Sequence, residues 1–147
     1  MLPIKYIIPV ILVVIIILII TIPFDSGCSG DAQCITGKVT EIIDGNTIKV
    51  NDKSIRFSLT STPKIYDEEG VLAKKYVEKI CPVGSTVLVD EDDLQTKGSY
   101  DRIIGLIKCN GKILNEEILE SGHGKISTQY CKTSEFADSD WAKRHGC

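Results

Sequence analysis

The sequence predicts a mainly β, α+β domain. It is a five-stranded Greek-key barrel of the OB type with about three helices, preceded by one membrane-spanning helix. Three observations carry this. Short alternations of apolar and polar residues recur between Thr36 and Cys109, separated by turn signals. The hydrophobic period switches from two to about 3.6 after Asp67 and again after Leu114. The first 24 residues are almost uniformly apolar.

The first three strands are expected over 36–43, 46–51 and 54–60. Val39, Ile42, Ile43, Ile48 and Val50 alternate roughly with polar residues. Asp44-Gly45-Asn46 and Asn51-Asp52-Lys53 supply the turns, because Gly and Asn tolerate positive φ. A helix follows over 67–80. Val71, Leu72, Tyr76, Val77 and Ile80 are expected on its inner face, with Lys74, Lys75, Glu78 and Lys79 opposite. Asp67, Glu68 and Glu69 open it, where negative charge suits the helix dipole. Pro82 and Gly84 stop it. The fourth strand is expected over 85–90, followed by an acidic, solvated loop that contains Glu91, Asp92 and Asp93. The fifth runs over 102–109 and ends at Asn110-Gly111, a strong hairpin signal. A short helix over 114–121 ends at Gly122, and His123 after it reads as a packing residue. The last helix starts at Ser134 as N-cap, with Phe136, Ala137 and Trp141 as its inner, core face.

The chain has 147 residues, and Lys5 is the one charge before Asp25. A bilayer needs about 20 apolar residues at 1.5 Å each, which the run over 6–24 supplies. A cleaved signal peptide competes with a retained anchor. Signal peptides use apolar stretches of roughly 7–15 residues, so the longer run here favours the anchor. Lys5 on the short side, against Asp25 and Asp31 on the long side, places the amino terminus in the cytoplasm and the domain outside. The expected organisation is an anchor or signal over 1–24, a Gly- and Ser-rich flexible tether over 25–34 and a folded domain over 35–147. Localisation is then single-pass in the cell membrane, or secreted if the segment is cleaved.

Cys28, Cys34, Cys81, Cys109, Cys131 and Cys147 all follow the apolar run. An even number in a small exported domain reads as disulfides, with 15 pairings open. The sequence holds no Cys-x-x-Cys, and His123 and His145 join no ligand-spaced cluster, which argues against structural zinc. The chain carries 17 Lys+Arg against 20 Asp+Glu, a net charge of −3. That balance announces no broad basic face for non-specific polyanion binding. Nothing in the pattern points to an oligomer.

DGNTIKV, IRFSLTSTP, GSYDRIIGLI and NGKILNEEILESG, in that order, resemble the motifs of thermonuclease-like domains, the staphylococcal nuclease family. The similarity runs from about Gly37 to Trp141. CPVGSTVLVDEDDLQT and the closing cysteine helix resemble a disulfide-bearing archaeal branch. The resemblance implies an OB barrel carrying a calcium-dependent phosphodiesterase site for DNA or RNA. It also implies that Cys81 and Cys109 lie near each other and pair.

By resemblance, Arg56 and Arg102 match the two catalytic arginines, and Tyr100 the tyrosine that contacts phosphate. Guanidinium forks suit the equatorial phosphate oxygens. Asp44, Asn46 and Thr62 match metal-site positions, Thr62 through its carbonyl. Departures are as informative. Asn46 and Ser61 stand where the family has the metal-binding aspartates. Lys64 replaces the glutamate that activates water, and Asp101 replaces a glycine. Calcium prefers carboxylate oxygens, so its binding is expected to be weak or absent. Lys64 is protonated near neutrality and holds a phosphate as a point charge rather than acting as a base. Two further expectations stand beside a weakened nuclease. One is a non-catalytic module for nucleic acid or another phosphate-bearing ligand. The other is a structural, partner-binding surface domain.

Overall fold

The structure, a computed structural model, describes residues 27–147. The expected span over 6–24 and the first two tether residues lie outside that range. Among the described residues no helix is long and apolar enough to cross a membrane.

Five strands close into an OB-like barrel. They are β1 (Cys34–Asp44), β2 (Thr47–Val50), β3 (Lys53–Phe57), β5 (Thr86–Glu91) and β6 (Ile103–Cys109). β1 pairs with β5 through its first half, Cys34 opposite Asp90 to Lys38 opposite Thr86. Its second half pairs with β2, Val39 opposite Val50 to Asp44 opposite Thr47, through two register irregularities. These bulges bend β1 enough to belong to both sides of the barrel. β3 then runs parallel to β6, Ile55 to Ile103 and Phe57 to Gly105, which closes the ring. All other barrel pairings are antiparallel.

The third strand is shorter than the predicted 54–60. Leu59 takes a left-handed backbone, φ 59°, and breaks the strand. The chain continues as β4 (Thr60–Ser61), which leaves the barrel to pair with β8 (Lys125–Ile126). β7 (Lys112–Ile113) completes a hairpin with β6.

Val39, Ile48, Val50, Ile55, Phe57, Val87, Val89 and Ile107 are buried in the core. Each such side chain contributes about 1.5–3 kcal/mol of burial. Helix α1 (Glu68–Ile80) buries Gly70, Ala73 and Val77, spaced three and four apart. Val71 and Leu72 are exposed, which corrects the predicted inner face. A small-residue face wins because the helix backbone comes very close to the loop before it. A Cβ on Gly70 would stand 1.8 Å from the Lys64 carbonyl oxygen. Helix α2 (Leu114–Glu120) inserts Leu114, Asn115, Ile118 and Leu119.

The closing helix is two pieces. Ser134 caps a 3₁₀ turn over Glu135–Asp138, and Ser139 caps α3 (Asp140–His145). Two hydroxyl caps five residues apart reset the helix. Phe136 and Trp141 are buried and Ala137 packs against the core. His123 packs its ring on Tyr76, centroids 5.2 Å apart.

The cysteines pair as Cys28–Cys34, Cys81–Cys109 and Cys131–Cys147. The second joins the end of α1 to the end of β6, in agreement with the pairing the resemblance implied. The segment read as a flexible tether is fastened to the barrel from Cys28 onward. Besides its disulfide, Ser29, Asp31, Ala32 and Gln33 donate hydrogen bonds to carboxylates of β5 and the loop after it.

Candidate functional site

An open cleft of about 1010 Å³ lies where β3, the loop after β5 and the start of β6 meet. Arg56, Lys64, Tyr100 and Arg102 all line it. Four of the residues singled out in the sequence, scattered over 47 positions, thus share one cavity. Arg56 is on β3, opposite Thr47 of β2 and beside Ile104 of β6. Burial lowers its pKa from the ordinary value. The Asp44 carboxylate opposes that shift, and the Arg102 charge adds to it. The guanidinium remains a cation throughout the physiological range.

Arg102 lies just before β6, with its guanidinium carbon 5.3 Å from the centre of the Tyr100 ring. This is cation–π distance. Tyr100 is 89% exposed, so the ring is presented at the rim. Tyr100 and Asp101 both take left-handed backbones, with φ 59° and 54°. The departure noted at Asp101 thus falls on a left-handed position. The position needs a conformation that glycine takes freely and aspartate tolerates better than most residues.

Lys64 serves two purposes. Its exposed side chain lines the cleft, while its carbonyl accepts the Asp67 N–H at 2.9 Å and seats the first turn of α1.

Asp44, Asn46 and Thr62 form a neighbouring corner and do not line the cleft. A Cβ on Gly45 would lie 3.0 Å from the Thr62 methyl, so the turn and Thr62 are in contact. Asp44 Oδ1 accepts the Asn46 backbone N–H at 2.9 Å. Asn46 is fully buried, and its Nδ2 donates to the Thr60 carbonyl at 2.7 Å. Its amide is a tie between the β1–β2 turn and β4. Ser61 is exposed in β4. One carboxylate, one neutral amide, the Thr62 carbonyl and a hydroxyl are a poor set for a calcium ion, which takes six to eight oxygens, carboxylates prominent among them. Among the described residues no three His, Cys, Asp or Glu side chains gather as ligands.

The opposite wall was not read from the sequence. Leu94, Gln95, Thr96 and Lys97 follow β5, and Tyr130 and Thr133 come from the segment before the last helix. Lys97 and Tyr130 carried no local motif, and only the fold brings them to the cleft.

The Glu91-Asp92-Asp93 run is not a solvated loop. Glu91 and Asp92 are buried. The Asp92 carboxylate accepts from Ser58 Oγ at 2.8 Å and Gln95 Nε2 at 2.7 Å. It also accepts the backbone N–H groups of Leu94 and Glu135 at 3.2 and 3.1 Å. Ser58 and Gln95 both belong to the cleft lining. A buried carboxylate with four donors is a structural hub, and the charge run hides this because its donors come from distant segments.

No protein-family model matches the chain. A curated relative, an uncharacterized protein of Bacillus anthracis, is 30% identical over 105 residues, covering 65% of this chain and 49% of its own. The chain thus spans about half the length of that relative.

Proposed function

We propose that the protein is a membrane-tethered, extracytoplasmic thermonuclease-like domain that holds a phosphodiester strand of DNA or RNA in this cleft. Calcium-dependent hydrolysis is weak or lost. The observation that carries the reading is the composition of the cleft. Arg56, Lys64, Lys97 and Arg102 line it together with Tyr100 and Tyr130, and among the described residues no aspartate or glutamate does. In a chain of net charge −3 this is a local concentration of positive charge. Guanidinium groups pair with phosphate oxygens, ammonium groups add point charges, and tyrosine rings offer stacking faces.

The same composition supports binding over hydrolysis. Lys64 stands at the position that the resemblance assigns to a water-activating carboxylate, and the corner around Asn46 has a poor donor set for calcium. A non-catalytic module for nucleic acid or another phosphate-bearing ligand is therefore the second reading.

The test uses the full chain in detergent with labelled single-stranded DNA and RNA, in calcium and in EDTA, beside Arg102→Ala. Binding that survives EDTA and falls with Arg102→Ala supports the cleft as a metal-independent strand site. Rapid calcium-dependent degradation that needs Arg102 would replace it with an efficient nuclease. No binding by either strand would refute the first reading and the nucleic-acid form of the second.

A further inference from the structure

We propose that residues 28–34 form a redox-sensitive strap that holds the far wall of the cleft in place, so that opening Cys28–Cys34 weakens ligand binding. This rests on the cleft being the ligand site proposed above.

The strap is built from backbone donors. Asp31 and Ala32 N–H groups both donate to the Asp93 carboxylate, at 2.9 and 2.7 Å. Gln33 N–H donates to Glu91 Oε2 at 3.1 Å. Ser29 donates its N–H to Asp90 Oδ2 at 2.9 Å, and its one hydroxyl proton is shared between that oxygen at 3.0 Å and Glu135 Oε2 at 3.1 Å. The path between them is tight. Gly30 has φ +66°, and a Cβ there would stand 2.1 Å from Asp93 Oδ2. Only glycine lets the chain turn at that point with Asp93 so close.

The carboxylates that receive the strap belong to one run, and its remaining member, Asp92, is buried behind the cleft lining and bonded to it. Asp92, between Glu91 and Asp93, holds Ser58 and Gln95 of the lining. Glu135 ties the two halves together, taking the Asp93 N–H at 2.8 Å and the Ser29 hydroxyl at 3.1 Å. The wall from Leu94 to Lys97 therefore hangs from a loop clasped on its outer side by residues 29–33.

The disulfide is what makes the clasp local and strong. It spans six positions and fixes both ends of the strap. Cys34 is exposed and Cys28 half-buried, whereas Cys81 and Cys109 are each 1% exposed. An external dithiol can thus exchange with Cys28–Cys34, and equally with Cys131–Cys147, while the central bridge stays closed. The dithiol supplies two electrons and two protons. It leaves as a cyclic disulfide, and two protein thiols remain. Without the closed loop, strap residues regain backbone freedom and Asp93 loses donors held in place by geometry.

The test compares the full chain with Cys28→Ser/Cys34→Ser and, separately, with Asp93→Asn, which keeps the disulfide. Amide exchange over 91–97 is expected to rise about tenfold in the double variant, with exchange over β2 and β3 unchanged. Affinity for a labelled single-stranded oligonucleotide is expected to fall several-fold in both. Unchanged exchange over 91–97 in both variants overturns the strap, whatever the ligand does. Raised exchange without any change in affinity overturns its link to the site. If the unaltered chain binds no oligonucleotide, the proposed function fails, and with it the strap's role in binding; the exchange data still judge the brace. If the double variant does not fold, Asp93→Asn decides by the same two measurements.

Discussion

The side-chain amide of Asn46 donates to the main-chain carbonyl of Thr60 at 2.7 Å, in a place closed to solvent. The residue that stands where the resembled family holds its metal is here a fastener between the first barrel turn and β4. Asn46→Asp would turn a donor into a carboxylate facing a carbonyl oxygen. The expected cost is about 1–3 kcal/mol, read as a lowered urea midpoint with an unchanged slope. Adding Ser61→Asp and Lys64→Glu is expected to make stability rise with added calcium, which the unaltered chain should not show.

Lys97 tests the wall that the sequence did not reveal. Strand binding through four cations predicts a logarithmic salt slope near −3 for single strands, and Lys97→Ala should flatten it by about 0.7. An unchanged slope would place Lys97 outside the ligand's path.

The bridge between Cys81 and Cys109 spans 28 positions. Replacing both by serine is expected to cost roughly 3–4 kcal/mol, measured by denaturant unfolding. Affinity for the strand should be kept wherever the variant remains folded, because neither cysteine lines the cleft.

Glu117 predicts a pH dependence. A hydrogen bond from Lys112 holds its pKa below the ordinary value of 4.5, and one from Tyr76 adds to this against an opposing effect of burial. A depressed folded-state pKa contributes stability that is present above the unfolded value and lost as pH falls through the folded one. Stability should therefore decline below about pH 4.5, and Glu117→Gln should make that decline shallower. An identical acid limb in the variant would remove Glu117 from the account.

Much of the barrel was legible because its signals are local. Alternation at Ile48 and Val50, the turn at Asp44-Gly45-Asn46 and the hairpin at Asn110-Gly111 depend on neighbours in sequence. Arg56, Arg102, Tyr100 and Lys64 were legible through ordered motifs, and the fold brings them to one cleft. What escaped depends on distant partners. Asp92 looks solvated until Ser58, Gln95 and Glu135 come to it. Val71 and Leu72 match a helical stripe, yet the close approach of Gly70 to Lys64 rotates the small face inward. Leu59 sits in an apolar run that reads as one strand, and its left-handed backbone ends β3 early. The metal corner was read by residue type alone, and type did not reveal that the Asn46 amide is committed to Thr60.

The division of β1 between two partners governs the order of assembly. Its second half meets β2 three residues further on, but its first half waits for β5, and β3 waits for β6 to form the parallel seam. A growing chain that has reached only Phe57 is a three-stranded meander with two open edges. No barrel exists until residues up to Cys109 have emerged. Loop closure over such separations is slow relative to local pairing. Fragments that end before β6 would expose strand edges able to pair with other chains. For this protein, the hazard of misassembly lies in the interval between synthesis of the third strand and arrival of the sixth.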